Sequence, residues 1–127
     1  MHFRVQTDEI NYSLGMVTRA IAARPIKQVY DGVLIETTDD ALVLTCTDGE
    51  ISIKAKVNAI VEEDGCALLP AKLFAEMMRK QPAGEVDVRI DDRMRALIRS
   101  RGSNTSMACM AAEDFPEMPF VGSDKKI

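Results

Sequence analysis

The chain has 127 residues, of which 46% are apolar and 28% charged, and its formal net charge is −4. That size and mixture fit one water-soluble domain burying roughly two thirds of its unfolded surface, and exclude a largely disordered chain. The negative balance argues against a protein that coats nucleic acid with its whole surface, because nonspecific binding draws on phosphate neutralisation by Lys and Arg, but it leaves room for a local basic patch.

Met1 to Gln6 alternates, with Phe3 and Val5 separated by Arg4, and reads as a short strand. Thr7-Asp8-Glu9 then opens a helix: Thr7 can cap it, and the acids suit the positive end of the helix dipole. Ile10, Leu14, Val17 and Ile21 recur at helical spacing and mark the buried stripe of a helix that ends before Pro25. After Pro25 the period becomes alternating, giving three strands in Val33 to Glu36, Ala41 to Thr45 and Glu50 to Val57. Asp39-Asp40 separates the first two and Asp48-Gly49 turns the last two.

The order then begins again. Cys66 to Leu69 is a strand, Pro70 opens a helix reaching about Gln81, and Pro82-Ala83-Gly84 stops it. Strands follow in Glu85 to Ile90, Met94 to Arg99 and Thr105 to Met110. The expectation is an α+β fold made of two strand-helix-three-strand repeats, about 1–62 and 63–120, with two helices packed on one face of an antiparallel sheet. The repeat lies in hydrophobic pattern more than in shared residues.

On the second helix, the side opposite Leu73, Phe74 and Met77 carries Lys72 and Arg79, with Glu76 nearby. On the first, Tyr12 and Arg19 lie opposite the apolar stripe, and Arg24 and Lys27 follow just past its end. Each cation alone reads as part of a solvated helix face. Two helices side by side on one sheet face would instead pool their cations into one surface, while acids gather in Glu62-Glu63-Asp64, Asp91-Asp92 and Glu113-Asp114.

No apolar run nears the roughly 20 residues that span a bilayer, and the N-terminus lacks the apolar stretch of a secretion signal, so a cytoplasmic location and no membrane partner are expected. Cys46, Cys66 and Cys109 lie far apart without a C-x-x-C pair, and are expected to be small core residues in a reducing compartment. His2 is the only histidine, expected at a surface or edge, so neither a Ser-His-Asp arrangement nor a histidine metal site has support. The pairs Asp39-Asp40 and Asp91-Asp92 read as turns rather than magnesium ligands, and no Gly-rich phosphate loop occurs. The sequence points to no catalytic residue, metal or cofactor.

Four segments in order, Arg24-Pro25 ahead of Gly32-Val33-Leu34-Ile35-Glu36, Thr47-Asp48-Gly49-Glu50-Ile51-Ser52-Ile53, Leu69-Pro70-Ala71-Lys72-Leu73 and Glu113-Asp114-Phe115-Pro116, carry a resemblance. The chain resembles the N-terminal domain of the beta subunit of bacterial DNA polymerase III, the DNA sliding clamps. The resemblance implies a DNA clamp domain over 1–120, with 121–127 as a tail or the start of a linker to an absent second domain. It further implies a non-catalytic processivity factor: a homodimeric ring of three-domain subunits whose helices surround double-stranded DNA without sequence specificity.

In that family the positions matching Arg24 and Lys72 touch DNA; Arg79, Lys27 and Arg19 are added here from the helix geometry. The last strand forms the edge that closes the ring, which implies Asn104, Thr105 and Met107 as subunit-interface residues, with Met107 as an exposed apolar element of a sticky edge. The polymerase catalytic subunit and the clamp loader bind the family through later domains. Gln28 stands where the family often has proline, and Tyr30-Asp31 replaces a more apolar approach to the next strand. The alternative is a clamp-fold protein-interaction scaffold that does not encircle DNA.

Overall fold

A computed structural model describes residues 1–21, 31–48 and 51–110. The elements run β1 (His2–Gln6), α1 (Thr7–Val17), a 3-10 turn (Thr18–Ala20), β2 (Gly32–Thr37), β3 (Ala41–Thr47), β4 (Ser52–Asn58), β5 (Ile60–Glu63), β6 (Cys66–Pro70), α2 (Ala71–Arg79), β7 (Glu85–Ile90), β8 (Arg95–Ser100) and β9 (Ser103–Ala108). Every expected element is present in order, joined by β5, a strand to which the sequence pattern assigned no element.

Two antiparallel sheets form where one was expected: β5-β1-β7-β8-β9 and β4-β3-β2-β6. The reason lies in the first strand of each half, which pairs with the second strand of the other half. Phe3 and Val5 of β1 sit opposite Val88 and Val86 of β7, and Ala67 and Leu69 of β6 sit opposite Ile35 and Val33 of β2. Each half thus completes the other's sheet with an inward-facing apolar row. β5 continues from the edge strand β4 and crosses to the other sheet, where it pairs with β1.

The core gathers Phe3, Val5, Val86, Val88 and Ile98 from one sheet, Val33, Ile35, Leu42, Leu44 and Leu69 from the other, and Ile10, Leu14, Phe74 and Met78 from the helices. Strand alternation and helical spacing therefore converge on one interior. Gly32 is needed where β2 meets β6, because a Cβ there would lie 2.6 Å from Leu68 Cδ1.

Both helix starts depart from the sequence-based expectation. Thr7 is the first helical residue rather than a cap; its N–H donates to the Gly84 carbonyl (2.9 Å) and its hydroxyl accepts from the Gly84 N–H (3.2 Å). This locks the start of α1 to the start of β7, with Gly84 at φ +129°, a backbone open to glycine. α1 ends at Val17, earlier than the spacing of Ile21 suggested: the chain tightens into the 3-10 turn and Thr18 Oγ1 donates to the Leu14 carbonyl at 2.7 Å. Pro70 ends β6 and stands as the residue before α2.

Candidate nucleic-acid interface

The two helices pack against each other, and Asn11 Nδ2 of α1 donates to the Met78 carbonyl of α2 at 3.3 Å. The buried residues of α2 are Ala71, Phe74, Ala75 and Met78, whereas Leu73 is 44% exposed and Met77 half-buried. The inward face is therefore turned relative to the expected one, which had Leu73, Phe74 and Met77 on the core side. Large apolar residues were a misleading guide: the small Ala71 and Ala75 are what let the helix approach the core closely.

At about 100° per residue, this rotation puts Leu73, Glu76 and Lys80 on the outermost line of α2. Lys72 and Arg79, seven residues apart and hence on nearly the same side, share the exposed flank next to Ala75. Glu76 reaches Lys80 across one turn (3.9 Å). Among the described residues no carboxylate lies within 4 Å of Lys72, Arg79 or Arg19, so the three cations are available to an external anion.

Arg19 is exposed but stands in the 3-10 turn beyond α1 rather than on the helix itself. Tyr12 is outward on α1, as expected, beside a groove lined by Glu9, Ser13, Met16 and Lys56 that separates α1 from β4. Arg24 and Lys27 lie outside the described residues.

Among the described residues β9 is the edge of its sheet and pairs with β8 alone, so no described strand takes up the backbone N–H and C=O groups of its far side. Asn104 is exposed and Thr105 half-buried, but Met107 is 4% exposed and belongs to the core. The alternation of β9 turns Met107 inward, so the edge is less sticky than its sequence suggested; only the backbone of Met107 can serve a contact there.

The remaining candidate groups resolve structurally. His2 sits on β1, an interior strand, with Nε2 2.6 Å from Asp87 Oδ1. Asp91 Oδ1 accepts the Arg93 and Arg95 backbone N–H groups at 2.9 and 3.0 Å, which is turn chemistry, as expected. Cys46 is buried and Cys109 half-buried, but Cys66 is exposed at the start of β6, contrary to the expectation of three core thiols. Among the described residues no group of three His, Cys, Asp or Glu side chains could hold a metal ion, and no helix is long and apolar enough to cross a membrane.

Residues 1–119 match the family model described as the DNA polymerase III beta subunit, N-terminal domain. The beta sliding clamp of Synechococcus elongatus is 34% identical over 123 residues, covering 94% of this chain and 32% of that protein. Among solved structures, the beta subunit of the Streptococcus pyogenes DNA polymerase superposes with a TM-score of 0.91 at 19% identity, over 100% of this chain and 35% of its own. The Caulobacter crescentus sliding clamp superposes at 0.89 with 25% identity, over 96% and 34%. The chain spans about a third of the length of the relatives it matches.

Proposed function

The chain belongs to the DNA polymerase III beta subunit family through the N-terminal domain of that family, and from this premise we propose that it is one domain of a DNA sliding clamp. In this reading the α1–α2 side faces double-stranded DNA and the ring tethers a replicative polymerase without catalysing a reaction. The observation that carries it is the flank of α2, where Lys72 and Arg79 stand exposed, on one side and unneutralised. Arg19 adds to that surface in the proposal, as do Arg24 and Lys27 from the segment that follows.

Phosphate contacts by long flexible cations suit sliding, because they carry no sequence information, whereas base-edge hydrogen bonds would halt a ring at particular sites. The free edge of β9, through Asn104, Thr105 and the backbone of Met107, is where a second subunit would join to close a homodimeric ring. The polymerase and clamp loader would bind domains beyond this chain, and the setting is the cytoplasm, where replication takes place. Holding DNA by topology rather than by affinity accounts for so few cations on so acidic a chain.

The test is a titration of the chain with short duplexes of two unrelated sequences at low salt, followed by amide chemical shifts and repeated with Lys72→Ala/Arg79→Ala. The expected result is weak binding, perturbations confined to α2 and the Arg19 turn, equal for both sequences, and a log–log salt slope shallower by about 0.9 for each phosphate that is no longer neutralised. Unchanged affinity and slope in the double variant would reject the assignment.

A further inference from the structure

The last turn of α2 ends without its usual donors. In an α-helix each carbonyl accepts from the N–H four residues on, and the partner of Met78 would be at position 82, where Pro82 has no N–H. The chain tightens instead: Lys80 N–H donates to the Met77 carbonyl and Gln81 N–H to the Met78 carbonyl, both at 3.2 Å and both spanning three residues. No residue from Lys80 to Ala83 takes the left-handed conformation with which helices commonly close.

Side chains make up the difference. Gln81 turns its amide back so that Nε2 donates to the Met77 carbonyl at 3.1 Å, while Oε1 accepts from the Ser100 hydroxyl. Ser100 is the last residue of β8 and shares the inward parity of Ala96 and Ile98, so this bond comes from the helix side of the sheet. From α1, Asn11 Nδ2 donates to the Met78 carbonyl at 3.3 Å. Asn11 Oδ1 is buried with no partner among the described residues, so the donor end alone holds that amide in place. Arg79 follows directly on these two carbonyls, and its backbone is thereby tied to β8 on one side and to α1 on the other. Lys72, about two turns earlier, is placed instead by β6 at the helix start.

We propose that Gln81, seated by Ser100, is a positioning residue for Arg79: it holds the last turn of α2 so that the guanidinium keeps a fixed place relative to Lys72 for a phosphate to meet. This rests on the reading of the α2 flank as a DNA-facing surface. An amide suits the task because it donates and accepts at once, and so passes the hold of β8 to a helix carbonyl without adding charge beside a polyanion. A carboxylate at 81 could accept from Ser100 but not donate to Met77, and it would stand at the negative end of the helix. Without the pair of bonds, a turn whose own donors are already spent frays, and Arg79 loses its spacing to Lys72.

The experiment measures duplex affinity at several low salt concentrations for the parent, Gln81→Met, Ser100→Ala, Ser100→Thr, Arg79→Ala and the double variant Gln81→Met/Arg79→Ala. Amide shifts are followed at Lys72 and Arg79, and each variant is checked for native circular dichroism. Gln81→Met and Ser100→Ala are expected to weaken binding severalfold, to shallow the log–log salt slope by up to about 0.9, and to lose most of the Arg79 response while keeping that of Lys72. Ser100→Thr keeps the hydroxyl and binds like the parent. The double variant binds no more weakly than Arg79→Ala, because a residue that acts through another adds nothing once the other is gone. Parent-like affinity and Arg79 response in Gln81→Met and Ser100→Ala, loss of the Lys72 and Arg79 responses together, or full additivity in the double variant would each overturn the proposal and leave the DNA reading standing. A parent chain whose α2 amides do not respond to duplex overturns both.

Discussion

The rotation of α2 decides which side chains an approaching ligand meets, and a pair of truncations measures it. Met78 is 0% exposed in the core, so Met78→Ala removes buried methylenes and leaves a cavity, a change that costs about 3 kcal/mol. Leu73 is 44% exposed, so Leu73→Ala loses about half of a transfer term, leaves no enclosed cavity and costs about 1 kcal/mol or less. With an unfolding entropy of about 2.1 cal/mol/K per residue, these changes lower Tm by roughly 11 °C and at most roughly 4 °C. Urea unfolding followed by circular dichroism, with m unchanged between variants, converts both into free energies. If Leu73→Ala costs as much as Met78→Ala, the core face runs through Leu73 and Met77. Lys72 and Arg79 would then be the outermost residues of the helix, and their placement on its flank would be wrong.

The hydrogen bond and charge of the Met1 ammonium, helped by His2 and Arg89, hold the Glu63 carboxyl below its ordinary value of 4.5. A carboxyl lowered on folding contributes stability that is present above the unfolded value and disappears as pH falls through the folded one. Glu63→Gln therefore narrows its small Tm deficit relative to the parent as pH drops below about 4.5, and a difference that stays constant through that range would refute the coupling. Burial pushes the Cys46 thiol up to about 12 and raises that of Cys109 as well, while Cys66 is exposed. Iodoacetamide at mildly alkaline pH should label Cys66 first and Cys46 only on unfolding, because the thiolate is the nucleophile; equal native rates by mass spectrometry would contradict the buried position.

Periodicity made most of the fold legible, since the alternation of Phe3 and Val5, of Val86 and Val88, and of Ile51 to Val57 is a local property of the chain. What it could not show is who pairs with whom. The exchange of β1 and β6 between halves depends on contacts between residues far apart in sequence, and nothing in either strand's own pattern names its partner. β5 was hidden because Ile60-Val61-Glu62-Glu63 carries acids at exposed positions of an edge strand, where charge is compatible with pairing. Of the site, Lys72 came from the family resemblance and Arg79 from helix geometry, and the seven residues between them keep the two cations on one side whatever the rotation of the helix. The rotation itself was hidden because Ala71 and Ala75 weigh little on a hydrophobicity argument yet set how closely a helix can pack.

Strand exchange also bears on how the cations are held. α1 follows β1 and α2 follows β6 without an intervening loop, so each helix is aimed by a strand that is itself pinned in the opposite half's sheet. Lys72, the second residue of α2, is thus positioned by the pairing of β6 with β2, and the start of α1 by β1 pairing with β7 and by the Thr7–Gly84 hydrogen bonds. Neither half can place its helix alone, because the strand that directs the helix has its apolar row completed by the other half. The direction of each helix is therefore set by strand pairing that spans both halves. In the proposed reading, a surface that meets a regular, featureless polyanion needs its charges fixed in mutual register more than it needs many of them, and the interlocked halves would supply that register from strand pairing instead of from loops.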